Sequence, residues 1–271
     1  MADRVVYTIR EGVADVRMNR PEKMNAIDTA MFEALSRVGR ELAGMKSIRA
    51  VVLSGEGRAF CAGLDFSSFQ SMADAKSSRS AAENVMADHS AKNPANLAQQ
   101  AGYVWHVMPV PVIAAIHGVA FGGGLQIALG ADIRIIEPDA RVSILEIKWG
   151  LVPDMSGTQM LRDLARLDVV KELTYTGRII DGLEAVTLGL ATRVSDAPYE
   201  DAMKLAHEIA TKSPDAIRAG KKLLNASRRV TIEEGFRLEE DLQRSVIGTP
   251  NQVEAVLANL ENRKPDFKDP R

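Results

Sequence analysis

The chain is poor in the residues that most readily announce a function. It has one cysteine, Cys61, in 271 residues, which excludes an internal disulfide and a cysteine-rich metal site. Its four histidines, His89, His106, His117 and His207, have no metal-ligand spacing to one another or to Cys61. The 34 Lys and Arg nearly cancel the 36 Asp and Glu, so no global basic field points to nucleic acid. No apolar run reaches the roughly 20 residues that span a bilayer. The opening MADRVVYTIREG has neither a basic-then-apolar signal nor a transit-peptide composition. No G-x-S-x-G surrounds Ser156, so a serine-hydrolase elbow is excluded as well. The expectation is a cytoplasmic protein handling a small molecule, without a permanently bound cofactor, a nucleic-acid partner or a membrane partner.

Glycine is placed with more purpose. Residues 113 to 132 read IAAIHGVAFGGGLQIALGAD. The apolar run Val110 to Ile116 reads as a buried strand, Gly122-Gly123-Gly124 as a turn, and Leu125 to Leu129 as a buried helix closed by Gly130. Adjacent glycines cost backbone entropy and mark a turn or a close approach that side chains would block. Free N–H groups at such a helix start can receive an anion or a developing oxyanion. A second turn of this kind is Ala62-Gly63-Leu64, after the run Ala59-Phe60-Cys61. Two such turns facing one pocket would supply two backbone donors; the plainer reading is two unrelated tight turns. Gly118 to Gly124 does not spell the dinucleotide fingerprint G-x-G-x-x-G.

The rest of the chain alternates short strands with helices. Val5 to Ile9 and Val13 to Met18 flank Glu11-Gly12, a hairpin signal. Asp28 can cap a helix over Thr29 to Met45. Ala50 to Leu53, Ile133 to Ile136, Arg141 to Ile144 and Thr192 to Val194 read as strands. Glu146 to Pro153 reads as a loop, and Ser156 or Asp154 as the cap of a helix through Arg166. From Tyr199 onward the pattern is entirely helical. This order predicts an α/β layered or spiral core over 1–197, carrying the site, and a helical oligomerisation region over 198–271. Residues 67 to 104, with Phe69 and Met72, shape a substrate pocket or form a plain surface connection.

Several of these pieces together resemble the enoyl-CoA hydratase/isomerase (crotonase) family. They are Asn19 to Ala26 (NRPEKMNA), Phe60 to Asp65 (FCAGLD), His117-Gly118 through Gly124, Ala131 to Arg134, Glu146 through Gly150 to Pro153, and Gly157-Thr158-Gln159. They occur in the family's order. The resemblance implies a spiral of ββα units that binds acyl-CoA thioesters and assembles as trimers or hexamers, with coenzyme A present only as part of the substrate. It also implies that the thioester oxygen accepts from the N–H of Leu64 and Gly123. Arg20, Lys23, Ala62, Leu64, Asp65, Gly122, Gly123, Gln126 and Trp149 are then the candidate substrate and CoA contacts. Within that set, Lys23 faces a phosphate or is an exposed loop lysine, and Trp149 lines the acyl pocket or only packs.

The departures bear on the reaction. Family hydratases hold a water between two glutamates; here the first position is Gln126 and the second Glu146. A glutamine amide orients water but does not exchange its proton as a carboxyl does, so double-bond isomerisation is favoured over hydration. Asp154 lies where the resemblance places the catalytic aspartate of dienoyl-CoA isomerases, or else it caps the following helix. Hydration despite Gln126, another family reaction such as thioester hydrolysis, and a non-catalytic binding role are the alternatives. Cys61 reads as a packed thiol and His117 as a hydrogen-bonded structural histidine.

Overall fold

The computed structural model describes residues 3–65 and 94–270; Phe69, Met72 and His89 lie outside the described residues. β1 (Val5–Arg10) and β2 (Val13–Met18) form an antiparallel hairpin. Glu11 and Gly12 turn it with φ of 50° and 78°, the left-handed pair that matches strand twist. A 3₁₀ turn, Pro21–Lys23, precedes α1 (Thr29–Gly44), whose cap Asp28 accepts from Met31 N at 2.9 Å. Then come β3 (Ala50–Gly55), α2 (Leu97–His106), β4 (Val112–Ile116), β5 (Val119–Phe121), α3 (Gly123–Leu129), β6 (Ile133–Ile136) and β7 (Arg141–Ser143). α4 (Gly157–Leu164), α5 (Leu167–Thr176), α6 (Gly182–Thr187) and β8 (Arg193–Val194) complete the spiral. Four helices close the chain: α7 (Pro198–Ala210), α8 (Pro214–Ser227), α9 (Ile232–Val246) and α10 (Pro250–Leu260).

The large sheet runs β1-β2-β3-β4-β6-β8, parallel after the opening hairpin, and β5 pairs with β7 in a second sheet. Bridges Cys61↔Ala120 and Val142↔Ile180 lengthen that second layer at both edges. Each pass of the chain therefore leaves one strand in each layer, which is the spiral the sequence pattern predicts. Two details differ from the sequence reading. Val119–Phe121 is a strand where the sequence reading named no element, because three residues are too few to show a period. The helix after it starts at Gly123, not Leu125, so two of the three glycines lie in its first turn.

Alternation along the strands makes two cores. Val51, Leu53, Val112, Ala114 and Ile116 face α1 and α2. Ala50, Val52, Ile113, Ala115 and Ile135 face the other way, onto Ala202 and Ala206 of α7. Both faces are covered, so the strands read as continuous apolar runs. No helix among the described residues is long and apolar enough to cross a membrane.

α8 is tied back to the spiral by an ion pair between buried Lys221 and half-buried Asp132. Lys221 Nζ donates to Asp132 Oδ2 at 2.6 Å and to Val110 O at 2.9 Å, while Asp132 Oδ2 also accepts from Val112 N at 2.7 Å. Burial pushes the lysine pKa down, and Asp132 opposes that shift. Removing Asp132 strands the buried lysine charge. We expect Asp132→Ala to destabilise the protein by about 3 kcal/mol in urea denaturation, and the double variant Asp132→Ala/Lys221→Met to recover much of that loss.

Candidate active site

Two glycine-bearing turns meet where the layers meet. Cys61 N donates to Val119 O at 3.0 Å and Phe121 N to Cys61 O at 3.1 Å, so the segment after β3 lies as an extra strand on β5. Gly63 has φ of 87°, and a Cβ there would collide with Phe121 O while lying 3.8 Å from Gly123 N. Only glycine lets the two main chains approach this closely. The same segment is held from its other side by residues 24–27: Ala62 N donates to Met24 O at 2.9 Å, Ile27 N to Gly63 O at 2.8 Å, and Asp65 N to Ile27 O at 2.9 Å. In a β bridge alternate residues turn toward the partner, so Leu64, between two paired neighbours, turns its own N–H away from Ile27. Among the described residues, neither Leu64 N–H nor Gly123 N–H donates to an acceptor. Met155 and Ile27 pack over Gly123 and are buried.

The acid lies beside this junction. Glu146 opens a 3₁₀ turn, Glu146–Trp149, inside the segment read from sequence as a loop. It is 9% exposed, and its Oε1 lies 3.3 Å from the Cβ position of Gly122. Gln126 Nε2, from α3, donates to Glu146 Oε1 at 2.6 Å. The other end of that amide is also engaged: Gln126 Oε1 accepts from Met155 N at 2.9 Å and Gly157 N at 3.0 Å. Gln126 thus joins the acid to the chain beside Asp154. Glu146 Oε2 is buried without a hydrogen-bond partner among the described residues. Burial raises the Glu146 pKa, and the nearby Asp154 charge raises it further. Asp154 itself is exposed by surface area, yet protein crowding its carboxyl moves its pKa up as well.

The capping role is corrected here. α4 starts at Gly157 with Ser156 as its N-cap, and neither Ser156 nor Asp154 caps it through a side chain. Gln126 Oε1 takes over that work by accepting from Gly157 N. Ser156 sits at φ 71° with its Oγ buried and unpaired among the described residues.

The remaining candidates are placed as follows. Lys23 is exposed on its 3₁₀ turn. Arg20 points inward, with Nη1 donating to Ala26 O at 3.1 Å and to the Asp65 carboxylate. Ala62 is half-buried. Trp149 is 40% exposed, with Lys148 Nζ 5.8 Å from its ring centroid. The Cys61 thiol donates to Asn25 O at 3.1 Å, and burial pushes its pKa up to about 12, which fits a packed thiol. His117 Nε2 is 3.0 Å from Gly57 O, a structural contact. Sequence reasoning did not find Met155 and Ile27, because their roles depend on chain segments brought together from a distance. Gly102 and Gly157 mark two further close approaches: side chains there would press on Ser156 and Gln126.

The enoyl-CoA hydratase/isomerase family profile matches residues 8–270. Mouse (Mus musculus) mitochondrial methylglutaconyl-CoA hydratase is 32% identical over 266 residues, covering 95% of this chain and 80% of that protein. Carnitinyl-CoA dehydratase of Proteus mirabilis (strain HI4320) is 32% identical over 277 residues, covering 99% of each. The crystal structure of an enoyl-CoA hydratase from Bacillus anthracis superposes with a TM-score of 0.87 at 29% identity, covering 98% of this chain and 100% of that one. The chain belongs to the enoyl-CoA hydratase/isomerase family and has the crotonase fold, a ββα spiral followed by C-terminal helices. It is an acyl-CoA enzyme of that family.

The raised Glu146 pKa has a consequence for stability. A carboxyl that holds its proton more tightly when folded costs stability above its folded pKa, and the cost fades as pH falls toward the ordinary glutamate value. Glu146→Gln keeps an acceptor for Gln126 Nε2 and removes the buried charge. We expect its melting temperature to exceed that of the parent by roughly 2 °C at pH 8, and the gap to close near pH 4.5, in scans by differential calorimetry.

Proposed function

We propose that the protein is a CoA-dependent double-bond isomerase of fatty-acid metabolism, with Glu146 and Asp154 as its proton-moving pair. The observation that carries this reading is the state of Gln126: both ends of its amide are bound, one to Glu146 and the other to the backbone at Met155 and Gly157. It offers no second carboxylate to clamp a water, which leaves Asp154 as the acid nearest in role to Glu146. The acyl-CoA thioester oxygen accepts from Leu64 N–H and Gly123 N–H. One carboxylate removes a proton from the unsaturated acyl chain and the electron pair moves through the conjugated system onto that oxygen. The other carboxyl returns a proton at the far carbon, so the double bond moves and nothing is added or lost. Such donors typically contribute about 10²–10³ in rate each. The unpartnered Glu146 Oε2 is the atom free to take the proton, and its raised pKa brings it nearer the working pH. Hydration is the second reading, supported by the hydratase and dehydratase names of the relatives and by retention of one acid.

The same reading extends to assembly and CoA binding. Leu224, Ile232, Phe236, Ile247 and Leu260 stand 61–76% exposed on or beside the closing helices, an apolar surface that supports self-association as trimers or hexamers. Light scattering should return a mass of at least three chains. In this reading exposed Lys23 meets a CoA phosphate and Trp149 borders the acyl chain.

The deciding assay follows absorbance on 3-enoyl-, 3,5-dienoyl- and 2-enoyl-CoA. Isomerisation should exceed hydration by at least about tenfold; the reverse order would sink the isomerase reading. Glu146→Gln should lower turnover by about 10²-fold or more, and Asp154→Asn by about tenfold to a hundredfold. Gln126→Glu puts a second carboxyl on the same backbone donors and should raise hydration of 2-enoyl-CoA. A kcat/KM that falls on the acid side at a pH above the ordinary glutamate range would report the raised Glu146 pKa.

A further inference from the structure

We propose that Arg20 is a positioning residue: its guanidinium, through Asp65 and the carbonyl of Ala26, fixes the direction of the Leu64 N–H. The inference rests on the oxyanion role given above to Leu64. On their Ile27 edge residues 63–65 are held by two backbone bonds, from Ile27 N to Gly63 O and from Asp65 N to Ile27 O. The segment that carries Ile27 is itself strained, with Met24 and Asn25 at φ of 51° and 55°. Non-glycine residues in that region require support from their surroundings. Asn25 receives it: its Oδ1 accepts from Arg20 N at 2.8 Å, and its Nδ2 donates to Glu56 O at 2.9 Å and Ala59 O at 2.8 Å. Arg20 then closes the arrangement by its side chain. Nη1 reaches Ala26 O, next to Ile27, and the carboxylate of Asp65, next to Leu64, with Asp28 Oδ2 at 3.6 Å. One planar, permanently charged group therefore clamps both strands of the bridge whose middle residue is Leu64.

The clamp also sets charge. Arg4 Nη2 holds Asp28 at 2.7 Å, so two guanidinium groups face two carboxylates. Displacement of a donor by about 1 Å acts against turnover. The loss expected of an Arg20 variant is therefore in turnover, not in binding of the CoA nucleotide. This differs from a role in which Arg20 contacts the nucleotide, which would act on affinity.

The test compares Arg20→Gln, Arg20→Lys and Asp65→Asn in the full-length enzyme. The readouts are kcat, KM, the affinity for free CoA, and the Raman carbonyl stretch of a bound, non-reacting acyl-CoA thioester. The expected result for Arg20→Gln is a kcat lower by about ten- to a hundredfold, unchanged free-CoA affinity, and a carbonyl stretch shifted back toward its value in water. Arg20→Lys should recover only part, since the shorter lysine side chain places its ammonium short of the Nη1 position that meets both acceptors. Asp65→Asn, which keeps the side-chain shape, should show the same kcat loss, and it decides the matter should Arg20→Gln fail to fold. Weakened free-CoA affinity with an unshifted carbonyl, or unchanged kcat in both variants, would overturn the proposal. A wild-type carbonyl already at its aqueous value would instead remove the oxyanion role of Leu64, a separate failure.

Discussion

The structure depends on one short piece of main chain, residues 61–65, being paired on both sides at once. On one side it lies against β5, and on the other against residues 24–27. That double pairing brings the first part of the chain, the second sheet and the start of α3 to a common point. Glycine at 63 makes the approach geometrically possible, and the surrounding strands make it rigid. Backbone donors fixed in this way need no rearrangement when charge appears near them, which is where preorganised sites gain most of their effect.

Gln126 performs the corresponding task for the acid. A free glutamate in a loop would choose among rotamers, whereas here one oxygen is held by the Gln126 nitrogen and the other is left unpaired among the described residues. The glutamine oxygen meanwhile fastens the backbone on either side of Ser156, whose left-handed conformation would otherwise be hard to maintain. The acid, the adjoining aspartate and the start of α4 are therefore set by a single side chain. A carboxylate buried with half its acceptors unfilled is unfavourable for folding, and its presence beside the two free amides is the strongest sign that the arrangement serves a reaction.

Much of this was legible in the sequence for physical reasons. Strand and helix periods were clear where elements were long, as in the hairpin around Glu11-Gly12 and the helix capped by Asp28. Glycine clusters marked the two close approaches because no other residue permits them. Glu146 and Gln126 could be singled out by their offsets within motifs resembling the family's. Other features were not legible. The three-residue strand at Val119–Phe121 is shorter than any period. Gln126 as a clasp for Met155 and Gly157 depends on chain folding over some thirty residues. Asp154 looked equally like a cap because a short acidic side chain before a helix has the same local pattern in both roles. Arg20 could not be seen to turn inward, since a loop arginine beside lysine and glutamate reads as solvated.

The groups that face the substrate oxygen in this scheme are peptide nitrogens. A peptide group is common to every residue but proline, so drift in the genetic text can alter the surroundings of the cradle but can scarcely delete it. A compound that mimicked the enolate and drew its grip from those nitrogens would leave point mutation few routes of escape. Selectivity between relatives would have to come from the side chains at the rim.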